Sequence, residues 1–390
     1  MDTEKYFCGN IYCSNFGIQG ADNHIILYGY ANNIQRIYCQ VCGQHFSSRL
    51  GTVFYDLKAS EEQVERALTC LAEGVSIRAT GRIVKADKDN VSAWLSRAGE
   101  HCKVLTSKFF INLHLTECQL DELWSFVYAK EGNLQNVKHV LQEYGDAWVW
   151  VAFAPDFKLI PAFVVGKRTQ ENADLLIERL VKVSDEHIPF FTSDALKHYR
   201  NSLLKYYGVL EILPQKQGPG RPQQPRIVPK PDLKYAIVFK KRENGRVVEV
   251  LTLPVFGTQE KIAELLEKST TSNKVNTSFI ERNNLSLRQT SRRLTRKTNA
   301  FSKRLPYLEK QLYLAIAYSH FVLTHKTLRA KLAQPIPTKG SGSPKKWIYR
   351  TPAIATGLTD HVWTMKELLT YPIVPEYLIK QHRKIFKNLN

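Results

Sequence analysis

The sequence predicts an α/β core preceded by two small modules, on three observations. Four of the seven cysteines fall within the first 42 residues, in CGNIYC and CQVC. A helical hydrophobic period then runs from about residue 60 to 101. From residue 119, strand-like runs rich in Val, Phe, Trp and Ile give way to alternating helix and strand, the pattern of an α/β layer architecture. The 390 residues, 43% hydrophobic, suffice for a sizeable core and two or three structural units.

Residues 1–52 hold short β-like stretches, HIILYGY and RIYCQVC, in a segment too small to bury a core unaided. Cys8 and Cys13 have four residues between them, and Cys39 and Cys42 have two. Two close cysteine pairs in this order are the ligand pattern of a structural Zn²⁺ knuckle, four thiolates closing a tetrahedron at ~2.3 Å. Four unligated cysteines are the simpler alternative, and His24 and His45 are spare ligand candidates. Cys70, Cys102 and Cys118 lie in apolar or mixed surroundings and read as buried small hydrophobes.

Residues 58–102 predict three helices. SEEQVERALTCLAEG has a Ser cap, acidic first-turn residues and apolar Val64, Leu68 and Leu71 at helical steps; SIRATGRIV and DNVSAWLSRAG follow. Three helices of this length suit a helix-turn-helix, in which Arg78, Arg82, Lys85, Lys88 and Arg97 would contact phosphates, although structural bundles use the same pattern.

The core spans residues 115–333. QLDELWSFVYAK, DAWVWVAFAP and KLIPAFVVGK predict three strands, TQENADLLIERLVKVSDEH a helix, IPFFTSD a short buried strand and LKHYRNSLLKYYG another helix. Residues 214–232, PQKQGPGRPQQPRIVPKPD, cannot pack a core and predict a loop or insertion, whose GPGRP run is similar to a minor-groove hook. KYAIVFKKRENGRVVEVLTLPV then predicts a hairpin turning at ENGR, TQEKIAELLEKS a helix, and residues 278–333 a mostly helical stretch. Residues 334–390 are read as a linker, 334–346, and a tail of unassigned structure.

A formal charge of +19 and a pI near 9.5 suit a polyanionic partner such as nucleic acid. No apolar run is long enough for a membrane span and no secretory layout opens the chain, which predicts a soluble, cytoplasmic protein with no membrane partner.

Three carboxylates carry the candidate chemistry. Asp121 sits amid apolar neighbours, Asp194 ends an apolar strand, and Glu281 heads a helix. Each has a simpler reading: Asp121 or Glu122 as an exposed edge residue, Asp194 as a helix cap, Glu281 as a partner of the helix dipole. Together, three carboxylates on two strands and a helix can hold two Mg²⁺ ions ~3.5–4 Å apart for in-line attack at a phosphodiester. Arg288, seven residues after Glu281, falls on the same helix face and would hold the phosphate. Residues 281–310 contain nine Lys or Arg against two Glu, and Arg282, Arg292, Arg293, Arg296 and Lys297 are candidates for lying along a DNA backbone.

These residues resemble a known family. DELWSFVYAK, TSDALKHY and, above all, FIERNNLSLRQ with AFSK downstream look like the DDE transposases of the insertion sequence one family, over about residues 36–330. YCQVCGQHF is similar to the second half of that family's zinc finger, and SIRATGRIV with NVSAWLS to its helix-turn-helix. The resemblance implies an RNase H-like mixed sheet flanked by helices, behind a zinc-knuckle module and a three-helix DNA-binding domain. It implies Asp121, Asp194 and Glu281 as the catalytic triad assisted by Arg288, two Mg²⁺ ions with Mn²⁺ as a substitute, and a structural Zn²⁺. The implied reaction is cleavage at transposon ends and joining of the 3′-hydroxyl to target DNA. Its partners would be terminal inverted repeats, target DNA and a second copy of the chain in a dimer or larger assembly, on a prokaryotic nucleoid. The first cysteine pair is wider than the family's, and 87 residues separate Asp194 from Glu281. The alternatives are an RNase H-like nuclease without strand transfer and a catalytically dead DNA-binding regulator.

Overall fold

The computed structural model describes residues 3–212, 224–338, 340 and 342–387. They divide into two compact units, residues 1–109, 310–322 and 362–390 in the first, and 110–309 and 323–361 in the second. No helix among the described residues is long and apolar enough to cross a membrane.

The first unit opens with an antiparallel sheet, β1 (Ile25–Ala31), β2 (Ile34–Cys39) and β3 (His45–Ser47), in that order. Its few apolar residues, Ile25 and Ile37 among them, pack around Cys8, Cys13 and Cys39. Three helices follow. The Ser60 hydroxyl accepts from the Gln63 amide to start α1 (Glu61–Ala72), and Ser76 caps α2 (Ile77–Val84) in the same way. The chain turns into α3 (Lys88–Phe109) through Lys85 at φ 54°, and Gly81 permits the close return: a Cβ there would stand 2.7 Å from the Ala86 carbonyl oxygen. At 22 residues α3 is longer than DNVSAWLSRAG predicts, because Cys102 and Leu105 continue its buried stripe.

The second unit is built on one six-stranded mixed sheet. Its elements are β4 (Glu117–Val127), β5 (Gly145–Ala154), β6 (Leu159–Gly166), α4 (Gln170–Val183), β7 (Phe190–Asp194) and α5 (Lys197–Tyr207), all near their predicted places. Next come β8 (Gly208–Glu211), β9 (Arg226–Pro229), β10 (Tyr235–Glu243), β11 (Arg246–Phe256), α6 (Gln259–Lys268) and α7 (Ser278–Thr290). The strand order is β11-β10-β7-β4-β5-β6, with β4, β7 and β10 mutually parallel and the other pairs antiparallel. Three antiparallel strands followed by parallel neighbours, flanked by helices, is an order consistent with an RNase H-like fold. The hairpin turn falls at Asn244 and Gly245, both left-handed (φ 49° and 78°), as ENGR predicts.

Two expectations are corrected. Within the insertion, Arg226–Pro229 is not loop but pairs antiparallel with β8, while GPGRP lies outside the described residues. The stretch 278–333 is helical over more than half its length, as expected, but interrupted: α7 stops before the buried Ser291, a short 3-10 turn and irregular chain follow, and α8 (Leu305–Phe321) gives way to β12 (His325–Ile336). Residues 334–346 are not a free linker, because β12 runs into them as far as Ile336 and pairs antiparallel with β13 (Lys345–Arg350), Ile336 opposite Lys345.

The tail beyond it is structured: α9 (Pro352–Ala355), α10 (Met365–Thr370) and α11 (Glu376–Lys387). Its end belongs to the first unit. The Val53 amide donates to the Leu369 carbonyl and the Ile373 amide to that of Gly51, both at 3.0 Å, and His101 meets the Leu368 carbonyl at 3.0 Å. Burial pushes His101 down to about 4, so its neutral ring donates that bond at ordinary pH.

Candidate active site

The second unit's sheet brings distant carboxylates together through register. β7 lies parallel beside β4 with Leu120 opposite Ser193, so Asp194, the last residue of β7, stands next to Asp121. Beyond that point β4 is no longer paired to β7. Glu122 alternates to the other face of the strand yet reaches the same place, and carboxylate oxygens of Asp121, Glu122 and Asp194 lie within 4.8 Å of one another.

Helix α7 is held on β4 by polar bonds. Gln119 donates to the Asn276 carbonyl and accepts from the Ile280 amide, each at 2.9 Å; Asn284 donates to Asp121 Oδ2 at 2.7 Å; Arg288 donates to the Trp124 carbonyl at 3.0 Å and to that of Leu294 at 2.8 Å. Glu281, Asn284 and Arg288 therefore share the helix face turned to the strand. Glu281 accepts from the Thr277 hydroxyl at 2.7 Å and is ion-paired with Lys240. A cavity of about 530 Å³ is lined by Asp121, Asp194, Glu281, Arg168, Lys240 and Thr277, among others. The three carboxylates predicted from sequence thus meet in one cavity, with Glu281 outside the tight group of three. Arg288 is not among its lining residues; it ties α7 to β4.

Crowding of like charges marks the centre. Burial first, then the neighbouring carboxylates Glu122, Asp194 and Glu281, push Asp121 up to about 7. Burial also raises Glu122, with Asp194 adding to it, while Tyr199 and Arg168 pull it back. The Tyr199 hydroxyl donates to Glu122 at 2.9 Å, Arg168 forms an ion pair with the same carboxylate, and burial lifts the Tyr199 pKa well above its ordinary value. Four converging acids, at least two of them resisting ionisation, form a hard-oxygen donor set that a divalent cation would fit.

Sequence reasoning missed Lys240, Arg168, Asn284 and Tyr199, and read Glu122 only as a possible edge residue, although its side chain is 3% exposed. Asn284 had a signal, lying three residues after Glu281 on one helix face. Lys240 had none: it comes to Glu281 because β10 lies parallel to β7, with Val238 opposite Asp194.

The other predicted residues fall in three places. Cys8, Cys13, Cys39 and Cys42 have sulfurs within 4.8 Å of one another, with Cys8 and Cys42 at 3.7 Å. Zn–S bonds of ~2.3 Å in a tetrahedron put sulfurs ~3.8 Å apart, so the set is compatible with zinc. Asn15 donates to Cys39 through its side chain at 3.6 Å and to Cys13 through its amide at 3.3 Å, as thiolate ligands require of their surroundings. Arg78, Arg82, Lys85 and Lys88 line one concavity of about 360 Å³ where α2 meets α3; Arg97 instead donates to the Val53 and Tyr55 carbonyls. Arg282, Arg292, Arg296 and Lys297 are exposed. Arg293 is largely withdrawn, lying over the Tyr307 ring and donating to Ser302, and burial lowers it to about 10.

Residues 248–322 match the family described as IS1 transposase. That stretch runs from β11 through α6 and α7 past the end of α8, and includes Glu281, Asn284 and Arg288 but neither Asp121 nor Asp194. A search of curated proteins found no match.

Proposed function

We infer that the chain is a DDE transposase of the IS1 family, a reading its family match supports, and we propose that it cleaves DNA at transposon ends and joins the freed 3′-hydroxyl to target DNA. The single observation that carries the chemistry is the convergence of Asp121, Asp194 and Glu281 on one cavity of a sheet ordered as in RNase H-like folds. Those carboxylates, with Glu122 beside them, would hold Mg²⁺ or Mn²⁺. Two such ions supply Lewis acidity for attack of water or a 3′-hydroxyl on a phosphodiester.

The chain's own contribution is position and charge. Gln119 and Asn284 fix α7, and with it Glu281, against β4. Arg168, over the Trp148 ring at 4.7 Å, lines the cavity and holds Glu122 beside Asp121. The exposed Arg282, Arg292, Arg296 and Lys297 follow Glu281 in sequence and would neutralise DNA phosphates. In the first unit, the four cysteines would hold a structural Zn²⁺. The concavity at Arg78, Arg82, Lys85 and Lys88 would dock on the backbone of the end sequence, in the manner of a helix-turn-helix. Two DNA ends must be held together, so the working species would be a dimer or larger.

The test is a strand-transfer reaction: purified protein, Mg²⁺ and a supercoiled donor carrying the DNA that flanks the gene on both sides. Cuts at the flanking repeats and covalently joined product are expected. Cutting without joining would favour a nuclease, and neither product in Mg²⁺ or Mn²⁺ would refute the reading.

A further inference from the structure

Two cations, Arg168 and Lys240, line the cavity with Asp121, Asp194 and Glu281, and they are held very differently. Arg168 is fixed: its guanidinium stacks over Trp148, and its partner Glu122, 3% exposed, also accepts from Tyr199. Lys240 is not. Its partner Glu281 is 48% exposed where Glu122 is 3%, and the Lys240 ammonium rides on a flexible four-carbon stem; Arg168 is itself 42% exposed and Lys240 32%, so the difference lies in what each cation is held by. Lys240 stands two residues past Val238, which pairs with Asp194, so it leans over the open end of β7 at the cavity. Its partner, Glu281, is the carboxylate left outside the group formed by Asp121, Glu122 and Asp194.

We propose that Lys240 is a displaceable counter-ion of this centre. Without metal its ammonium holds Glu281; when a divalent cation takes Glu281, the ammonium transfers to a non-bridging oxygen of the DNA phosphate entering the cavity. This rests on the metal-dependent reading above. The physical reason is competition: an ammonium in contact with a carboxylate lowers the negative potential a second cation would feel there, so each cation weakens the other's hold. Once released, a compact ammonium at the cavity wall is matched to a phosphate, the polyanion this reading brings there. Because binding free energies are reciprocal, metal and DNA should then strengthen each other's binding through this residue.

The test uses the full-length, zinc-loaded chain with Lys240→Gln, Lys240→Arg and Asp194→Asn, each checked for an unchanged melting curve. Ca²⁺ and Mn²⁺ binding is measured by titration calorimetry without DNA, and binding of a fluorescent duplex by anisotropy with and without Ca²⁺. Lys240→Gln should bind metal about two- to fivefold tighter than wild type, the scale of a part-exposed ion pair. It should also lose most of the Ca²⁺-induced gain in DNA affinity, and Lys240→Arg should restore that gain. Unchanged or weaker metal binding by Lys240→Gln, or an undiminished Ca²⁺ effect on DNA, overturns the proposal while leaving the metal centre standing. If wild type shows no metal binding that Asp194→Asn removes, the metal centre itself fails, and the proposal with it.

Discussion

Asn284 on α7 donates from Nδ2 to Oδ2 of Asp121 on β4 at 2.7 Å, joining a helix to a strand 163 residues earlier in the chain. Asn284 is buried, so its loss leaves the Asp121 oxygen without that donor. Asn284→Ala should destabilise the second unit by about 1–3 kcal/mol, read as a lower urea midpoint at unchanged slope. It should also lower strand transfer at least tenfold, because Glu281 loses a constraint on its position. An unchanged midpoint would show that Gln119 and Arg288 seat the helix without it.

Asp121 predicts a pH dependence with a definite sign. Its folded pKa, about 7, stands above the ordinary carboxylate value of 3.8, so the folded state binds this proton more tightly than the unfolded chain. The stabilisation is fully present below about pH 4 and is lost as pH rises through 7, at most about 4 kcal/mol for the group. Asp121→Asn, which keeps an acceptor toward Asn284, should therefore gain stability relative to metal-free wild type between pH 4 and 8. Divalent-metal affinity of wild type should rise across the same interval, since the cation competes with the proton. A wild-type minus Asp121→Asn difference that stays flat with pH would contradict the crowding of charge described for the cavity.

The cysteine cluster predicts about one zinc per chain after gentle purification. Cys39→Ser should release it and lower the melting temperature of the first unit, because its apolar residues pack around the cysteines themselves. Zinc near zero in a well-folded wild type would leave the four thiols as core residues only.

The basic concavity and Arg97 should separate in one assay. Arg82→Ala and Lys85→Ala should each weaken DNA binding across sequences and reduce the slope of log affinity against log salt by about 0.9. Arg97→Ala should leave that slope alone and lower stability, since its guanidinium serves the Val53 and Tyr55 carbonyls. A slope change at Arg97 and none at Arg82 would reverse the assignment.

Much of this was legible in the sequence because the signals are local. Apolar runs marked β5, β6 and β7, Ser60 marked a helix start, and Asn244-Gly245 marked a turn, each acting over a few residues. Asp121, Asp194 and Glu281 could be picked out because a carboxylate beside an apolar strand, or heading a basic segment, is conspicuous. What stayed hidden depends on pairing. Lys240 reaches Glu281 only through the β7–β10 register, and Glu122 joins Asp121 only because β7 ends at Asp194. His325–Ile336 became a strand because Lys345–Arg350 lies beside it, and the carbonyls of the tail's Leu368 and Leu369 find their donors in the His101 ring and the Val53 amide, far away in the chain. Arg288 and Arg293 show the same limit: their charge suggested DNA, and tertiary contact gave them carbonyl, hydroxyl and ring partners.

The central claim is that the carboxylate cavity acts on DNA. It is tested most directly by comparing wild type with Asp194→Asn on the same supercoiled donor in Mg²⁺, measuring end binding and strand transfer on the same preparations. The account predicts end binding unchanged within about twofold and strand transfer reduced at least a thousandfold, since each lost factor of ten reflects about 1.4 kcal/mol at the barrier. An Asp194→Asn protein that still cuts and joins DNA would contradict it.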